Sequence, residues 1–410
     1  MPETVVILGA GQTAAQLVDS LRRDGYTGRL VVVGDESHLP YQRPPLSKKF
    51  LAGALPVERL ALKPTAFYES AQAELRLGVR AEGLALGRRE VALSDGDTLH
   101  YDRLLLATGS TPRRLPLPGH DLVGVHYLRT VADVDRIRAE LAPGARVVIV
   151  GGGYIGLEVA ATCRTLGHEV DVLEMTDRVM NRVVAPEVSA FFAGEHARAG
   201  VRLHAGAQVT CFAPRADDSR RVGHVETLAG ESFAADIVII GVGVLPNTGL
   251  AQAAGLACEN GITVDLHGQT SDPAVYAAGD CASHPSLRYG RRVRLESVDN
   301  AFEQAKTVAA NIAGHPTVHD RVPWFWSDQF DLKLLIVGLN VDYDRVVLRG
   351  CQDSRSFSCC YLRGTELLAL DCVNAAKDYM AARKLIALRV HCDPGRLADP
   401  AIELRDTTLV

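Results

Sequence analysis

Three observations predict an α/β chain made of two duplicated βαβ domains and a small α+β domain at the C-terminal end. A glycine-rich turn follows an apolar run twice, as Gly9-Ala10-Gly11-Gln12-Thr13-Ala14 after Thr4 to Leu8 and as Gly151-Gly152-Gly153-Tyr154-Ile155-Gly156 after Arg146 to Val150. A second repeat matches Leu104-Leu105-Leu106-Ala107-Thr108-Gly109, followed by Pro112-Arg113, with Val238-Ile239-Ile240-Gly241-Val242-Gly243, followed by Pro246-Asn247. From about Pro323 the pattern changes to short alternating runs separated by turns.

The glycines of each turn have separate tasks. The first permits a tight bend out of a strand, the second lets the backbone approach a pyrophosphate, and the third position must be small so that helix and strand pack closely. Ala14 and Gly156 both meet that last demand. A pyrophosphate would then sit on the unpaired amides at the positive end of the following helix.

Glycine spacing alone is more often only a tight turn, and the context reverses that reading. After the first turn come a helical stretch, Ala15 to Arg22, and a second strand, Leu30 to Val33, ending in Gly34-Asp35-Glu36. After the second come a helix, Leu157 to Leu166, and a strand, Glu169 to Leu173, ending in Glu174. An acid at the end of the second strand, roughly 20 residues past the turn, is the expected acceptor for ribose hydroxyls. Asp35 and Glu36 compete for that role in the first unit. Each unit thus reads as a Rossmann-like dinucleotide-binding domain.

Further along, Thr270-Ser271-Asp272-Pro273 leads to Val275-Tyr276-Ala277-Ala278-Gly279-Asp280, and helical periodicity runs from about Ser297 to Ala313. Because this segment lies beyond the second fingerprint, the simplest architecture returns the chain to the first domain. The expected division is 1–110 with 244–322, an inserted domain at 111–243, and a third domain at 323–410. Lys333 to Val337, Arg345 to Arg349, Phe357 to Leu362 and Leu367 to Val373 suggest an antiparallel sheet, with a helix from Lys377 to Val390 packed on it. Trp324 and Trp326, the chain's 2 tryptophans, read as one core and one surface residue of a strand.

Composition narrows the function classes. With 410 residues and 47% hydrophobic content the chain can bury more than one core, and a formal charge of -5 provides no reason to expect nucleic acid. Its apolar runs fall short of the roughly 18 residues that span a bilayer, and Met1-Pro2-Glu3 leads into a strand rather than a signal peptide, so a soluble cytoplasmic protein without a membrane partner is expected. The 9 cysteines lack a Cys-x-x-Cys pair and regular spacing, which reads as reduced, mostly buried thiols rather than a disulfide framework or a zinc site. Adjacent Cys359 and Cys360 in a strand point to opposite faces.

Taken together, these residues resemble the pyridine-nucleotide-dependent flavoprotein reductases with a glutathione-reductase-like FAD/NAD fold, and within them the bacterial ferredoxin reductases of cytochrome P450 and ring-hydroxylating dioxygenase systems. The most specific pieces are Arg43-Pro44-Pro45-Leu46-Ser47-Lys48, Tyr127-Leu128-Arg129-Thr130, Gly151 through Glu158, Gly279-Asp280-Cys281, Arg294-Leu295-Glu296-Ser297-Val298 and Trp324-Phe325-Trp326-Ser327-Asp328-Gln329. The resemblance implies FAD at the first fingerprint, with Gly9, Gly11, Thr13 and Ala14 on its pyrophosphate and Asp35 on its ribose. It further assigns Arg43, Lys48, Ala81, Arg129, Asp280 and Val298 to FAD contacts. Asp280 fits a ribityl hydroxyl acceptor placed just before a helix.

The same resemblance sets Lys48 near the flavin ring, opposed by Glu158. Each read alone is a solvated lysine or an ordinary glutamate at a helix start. At the second fingerprint it implies NADH, held by Gly151, Gly153, Tyr154, Ile155 and Gly156, with Glu174 on the ribose hydroxyls. Arg178 and Arg182 are able to accommodate a 2′-phosphate, but the family pattern carries an arginine matching Arg182 and still prefers NADH. Gly243 and Glu296 are candidates for the nicotinamide end, and Trp326 for a place close to the flavin.

The implied reaction passes a hydride from NADH to FAD and single electrons onward to a [2Fe-2S] ferredoxin that supplies the oxygenase. Arg288, Arg291, Arg292 and Arg294 form a basic cluster that reads either as a docking face for that acidic partner or as a solvated face. A disulfide or peroxide reductase requires a cysteine beside the flavin, and the first cysteine here is Cys163. A redox-signalling flavoprotein of the apoptosis-inducing-factor type shares the architecture and is the reading from another class.

Overall fold

A computed structural model describes residues 3–409; Met1 and Pro2, on which the reading of the N-terminus turns, lie outside them. The chain forms two compact units. One holds the chain up to Gln42, Val57–Thr111 and Val244–Arg321, and the other holds Arg43–Pro56, Pro112–Gly243 and the chain from Val322 onward. Two units thus stand beside the three expected domains: Pro112–Gly243 and the chain from Val322 onward share one of them, and Arg43–Pro56 joins it.

The first unit is organised by a parallel sheet in the order Val275–Ala277, Arg103–Leu106, Thr4–Leu8, Arg29–Gly34, Ala73–Leu77. Strands covered on both faces need apolar residues at every position rather than every second one, which is why Val5 to Leu8 and Leu104 to Leu106 are unbroken apolar runs. Alternate side chains enter separate cores. Val6, Leu8, Val31 and Leu104 pack with Val91, Leu93 and Leu99 of a small antiparallel sheet. Val5, Ile7, Leu30 and Val32 pack with Leu17, Val18 and Leu21 of the helix Gln12–Arg23 and with Ala305, Val308 and Ile312 of the helix Val298–Ile312.

The second unit repeats that order: Val125–Tyr127, Ile237–Ile240, Arg146–Val150, Glu169–Glu174, Arg202–Ala205, all parallel. The two repeats differ in the strand beside the returning one. In the first unit it comes last in the chain, Val275–Ala277, and in the second it comes first, Val125–Tyr127. The duplicated pieces, Leu104 to Gly109 and Val238 to Gly243, lie next to their respective fingerprint strands.

From Trp324 the same unit carries an antiparallel sheet in the order Trp324–Gln329, Leu332–Gly338, Glu366–Val373, Ser356–Arg363, Arg345–Cys351. Cross-strand register separates its faces. Trp324, Val337, Leu370 and Cys360 face the helix Ala376–Ala387, whose Tyr379, Ala382 and Ile386 close a core against them. Phe325, Ile336, Asp371 and Cys359 line the opposite face.

The two tryptophans correct the sequence reading. Residues two apart on a strand share a face, and Trp324 and Trp326, both half-buried, stack on each other with ring centroids 5.5 Å apart. Cys359 and Cys360 do point to opposite faces, both fully buried, and all the cysteines are free thiols.

Candidate functional site

Both fingerprint turns leave the start of their helix without a side-chain cap. Gly11 and Gly153 occupy the N-cap positions of Gln12–Arg23 and Tyr154–Thr165, and neither first turn carries an acid. A helix start exposes amides that have no partner within the helix. A Cβ added at Gly11 or at Gly153 would meet nothing within 4 Å, so each turn opens onto free space above those amides. That is a cradle for a pyrophosphate, and it is present twice.

The remaining glycines are fixed by backbone approaches that repeat in the two units. At Gly9, φ +112°, a Cβ would stand 2.1 Å from the Ala107 carbonyl oxygen, and at Gly151, φ +107°, 2.5 Å from that of Gly241. Ala107 and Gly241 occupy matching places in the second sequence repeat. At Gly156 a Cβ would stand 2.0 Å from the Gly151 oxygen. Ala14, its counterpart, is fully buried in the first unit.

The expected ribose acceptors differ between the units. Gly34 follows Val33, which pairs with Leu8, and Glu174 follows Leu173, which pairs with Val150, so Gly34 and Glu174 are equivalent. A Cβ at Gly34 would come within 2.4 Å of that of Ala10, whereas Glu174 fits because Gly152 replaces Ala10. The first unit therefore moves its acid further along. Asp35 is exposed, and Glu36 is half-buried and accepts the Tyr41 hydroxyl at 2.6 Å. In the second unit Glu174 ties the turn to the following loop: Oε2 accepts Gly152 N–H at 2.7 Å, and Oε1 accepts the Thr176 N–H and hydroxyl at 2.8 Å.

In the first unit other expected residues gather round the cradle. Val79 N–H bonds the Gly34 oxygen at 2.9 Å, which brings the strand Ala81–Ala85 up beside the Asp35-Glu36 corner. The Gly279-Asp280 turn lies against the first helix, a Cβ at Gly279 standing 2.6 Å from Thr13 Oγ1. Gly279 N–H also donates to Gln304 of the helix that Val298 begins. Asp280 precedes a strand, Ala282–Ser286, rather than the helix expected from sequence. Its carboxylate accepts Ser110 Oγ at 2.8 Å. Arg294 links Asp280 to Glu296, donating to the Asp280 carbonyl at 3.2 Å and to the Glu296 carboxylate at 2.6 Å.

Within the second unit, Lys48 and Glu158 form an ion pair of 2.6 Å, with side chains 18% and 3% exposed. A carboxylate buried so completely needs more than one partner. Glu158 Oε2 also accepts Ser47 Oγ at 2.6 Å, and Oε1 accepts Ser327 Oγ at 2.8 Å. Ser327 accepts Gln329 Nε2 at 3.2 Å, and Gln329 Oε1 pairs at 2.9 Å with Nε2 of His196, a fully buried ring held neutral by desolvation. Ser47, Ser327, Gln329 and His196 are the neighbours of the Lys48–Glu158 pair that sequence reasoning missed.

A signal for them exists. Four residues of helix rise about 6 Å and two residues of strand about 6.8 Å, so Tyr154 and Glu158 match Phe325 and Ser327 step for step. The Tyr154 and Phe325 rings accordingly meet at 4.9 Å. In the sequence, however, Ser327, Asp328 and Gln329 are three polar residues in a row, so no alternation marked the face that meets Glu158.

Arg43 donates to the Arg129 carbonyl at 2.7 Å. Ile155 is 44% exposed at the helix start. Arg182 is exposed and lies 3.7 Å from where a Gly243 Cβ would stand, while Arg178 is spent on the Asn181 and Val184 carbonyls of its own loop. Trp326 points away from the Phe325 face. The arginine cluster divides: Arg292 is bound to the Val264 and Ser283 carbonyls and Arg294 to Asp280 and Glu296, leaving Arg291 as its exposed member. Burial pushes the Cys163 thiol up to about 12 and raises Cys281 as well, so neither is a ready thiolate. Among the described residues no cluster of three or more His, Cys, Asp or Glu could hold a metal, and no helix is long and apolar enough to cross a membrane.

Comparison with known proteins agrees with this fold. Residues 3–305 match the pyridine nucleotide-disulphide oxidoreductase family model, and residues 324–408 match the reductase C-terminal model. The chain is 42% identical over 408 residues to putidaredoxin reductase CamA of Pseudomonas putida, covering 98% of this chain and 96% of that one. It is 41% identical over 404 residues to a ferredoxin–NAD(P)(+) reductase of Sphingomonas sp, covering 98% and 97%. The crystal structure of the ferredoxin reductase for the CYP199A2 system from Rhodopseudomonas palustris superposes with a TM-score of 0.95 at 42% identity, covering 98% and 99%. With two uncapped glycine cradles, Lys48 paired to a buried Glu158 and these matches along nearly its whole length, the chain belongs to the pyridine nucleotide-disulphide oxidoreductase family.

Proposed function

We propose that the protein is an FAD-dependent, NADH-dependent ferredoxin reductase of the cytoplasm, serving a [2Fe-2S] ferredoxin of a cytochrome P450 or ring-hydroxylating oxygenase system. The observation that carries this reading is the duplicated cradle, one for a resident dinucleotide and one for an exchangeable one. Bound FAD supplies the conversion of a two-electron hydride donor into single electrons for the ferredoxin.

The chain's own residues hold, orient and select. Gly9, Gly11, Thr13 and Ala14 hold the FAD pyrophosphate, Asp35 or Glu36 accepts from its ribose, and Asp280, steadied by Ser110, accepts from the ribityl chain. Arg43, Ala81, Arg129 and Val298 complete the FAD contacts. Glu158 fixes the Lys48 ammonium for the flavin ring, and Ser47 and Ser327 fix Glu158. Gly151, Gly153, Tyr154, Ile155 and Gly156 seat the NADH pyrophosphate, with Gly243, Glu296 and Arg182 serving its other parts. Glu174 keeps a carboxylate where a 2′-phosphate would fall, which favours NADH over NADPH. Buried cysteines such as Cys163 and Cys281 are poor outlets, so electrons leave to an external carrier.

Anaerobic titration of the FAD-loaded protein tests this. One equivalent of NADH is expected to bleach the flavin band, with NADPH acting far more slowly. A flavin that stays oxidised under excess NADH overturns the reading.

A further inference from the structure

One buried titratable pair in the second unit has no part in the reaction described above. Asp371, on the strand Glu366–Val373, is 1% exposed, and Tyr361, on the neighbouring strand Ser356–Arg363, is fully buried. The Tyr361 hydroxyl donates a short hydrogen bond to Asp371 Oδ2 and accepts the Ala185 N–H at 2.8 Å. Asp371 Oδ1 has no partner. Leaving a carboxylate oxygen buried and bare is costly, so the pair should serve something beyond packing.

Its contacts lead to the second cradle. Ala185 ends the loop that begins at Glu174, and this loop clasps Gly152 of the glycine turn on both backbone groups. Gly152 N–H bonds Glu174 Oε2 at 2.7 Å, and the Gly152 carbonyl accepts Met180 N–H at 2.9 Å. A Cβ at Gly152 would stand 2.9 Å from Val179, whose carbonyl is held by Ser189 at 2.6 Å. At the far end Tyr361 grips the Ala185 amide, and Asn340 Nδ2 grips the Val183 carbonyl at 3.1 Å. Burial raises the phenol of Tyr154, the first residue of the fingerprint helix, strongly, and the Asp371 carboxyl, when ionised, adds to that rise.

We propose that Tyr361, oriented by Asp371, is a positioning residue for the nucleotide: the C-terminal sheet sets NADH affinity by holding the 174–185 loop against Gly152. The proposal rests on the second cradle being the NADH site. Tyr361, Asp371 and Asn340 thus act on the cradle through the loop that they hold.

The test uses the FAD-loaded full chain with ADP-ribose, which occupies the adenosine end without reducing the flavin. Tyr361→Phe keeps the ring and removes both hydrogen bonds. It should raise the ADP-ribose Kd and the KM for NADH roughly fivefold, about one hydrogen bond's worth, with kcat unchanged. Asp371→Asn keeps an acceptor for Tyr361 and should stay close to wild type, whereas Asp371→Leu should resemble Tyr361→Phe. If Tyr361→Phe does not fold, Asn340→Ala removes the second grip and is expected to raise both constants in the same sense. Wild-type affinity in the Tyr361→Phe or Asn340→Ala protein overturns the proposal, as does a fall in kcat at constant KM. Failure of the wild-type protein to bind ADP-ribose or to be reduced by NADH would defeat the functional reading, and this inference with it.

Discussion

Replacing Asp371 by Asn should make the C-terminal sheet more stable at neutral pH than at acid pH, relative to wild type. Burial lifts the Asp371 carboxyl from 3.8 to about 7, and the Tyr361 hydrogen bond offsets only part of that rise. A folded-state value above the unfolded one means that the stability from this group is fully present below pH 3.8 and is lost as pH rises to about 7. Each unit of separation corresponds to about 1.4 kcal/mol. From pH 5 to pH 8 the wild-type chain should therefore lose about 3 kcal/mol through this one carboxyl, while the amide, of similar shape and without charge, loses nothing. Other carboxylates titrate in both proteins and cancel in the difference. The assay is urea unfolding followed by tryptophan fluorescence, because both tryptophans of the chain lie in the sheet that holds Asp371. The variant's advantage should grow across pH 5 to 7 and then level off. An advantage that is flat over that range, or that shrinks as pH rises, refutes the reasoning.

Three further predictions address the site. Gly156→Ala forces a Cβ against a backbone oxygen 2.0 Å away, which no side-chain movement relieves; NADH affinity should fall at least about tenfold while FAD content, measured by absorbance, stays normal. Glu158→Leu leaves the Lys48 ammonium, 18% exposed, without its carboxylate; stopped-flow flavin reduction by NADH should slow at least about tenfold, and Ser327→Ala should cost about 1 kcal/mol of stability with a smaller kinetic effect. Arg291→Glu changes the exposed member of its basic run and should raise the KM for an acidic ferredoxin at low salt, with the effect fading at high salt; an unchanged KM at all ionic strengths assigns Arg291 to a solvated face.

Much of the fold was legible because its signals are local. Strands covered on both faces must be apolar throughout, and a pyrophosphate turn must be glycine-rich, so both repeats stand out along the chain. Helix starts were less legible: the helices begin at Gln12 and Tyr154, while apolar periodicity suggests Ala15 and Leu157. The first turn in each case carries a small residue, Ala14 or Gly156, because of the close approach of helix to strand, and apolar periodicity does not detect it. What escaped the sequence depends on distant partners. Ser327 reaches Glu158 across 169 positions, and Arg292 and Arg294 are drawn inward by carbonyls and carboxylates that a charge run does not reveal. The Asp280 corner was misjudged because the helix beside its turn, Val298–Ile312, follows only after an intervening hairpin. For the tryptophans the error was one of parity, since two positions along a strand return to the same face.

The most direct measurement is NADH-dependent reduction of cytochrome c by the FAD-loaded protein, with and without a series of [2Fe-2S] ferredoxins. Reduction should be slow with the protein alone and should rise to a large, saturable rate with at least one ferredoxin. Turnover that no ferredoxin enhances, but that a disulfide or peroxide supports, would contradict a ferredoxin reductase.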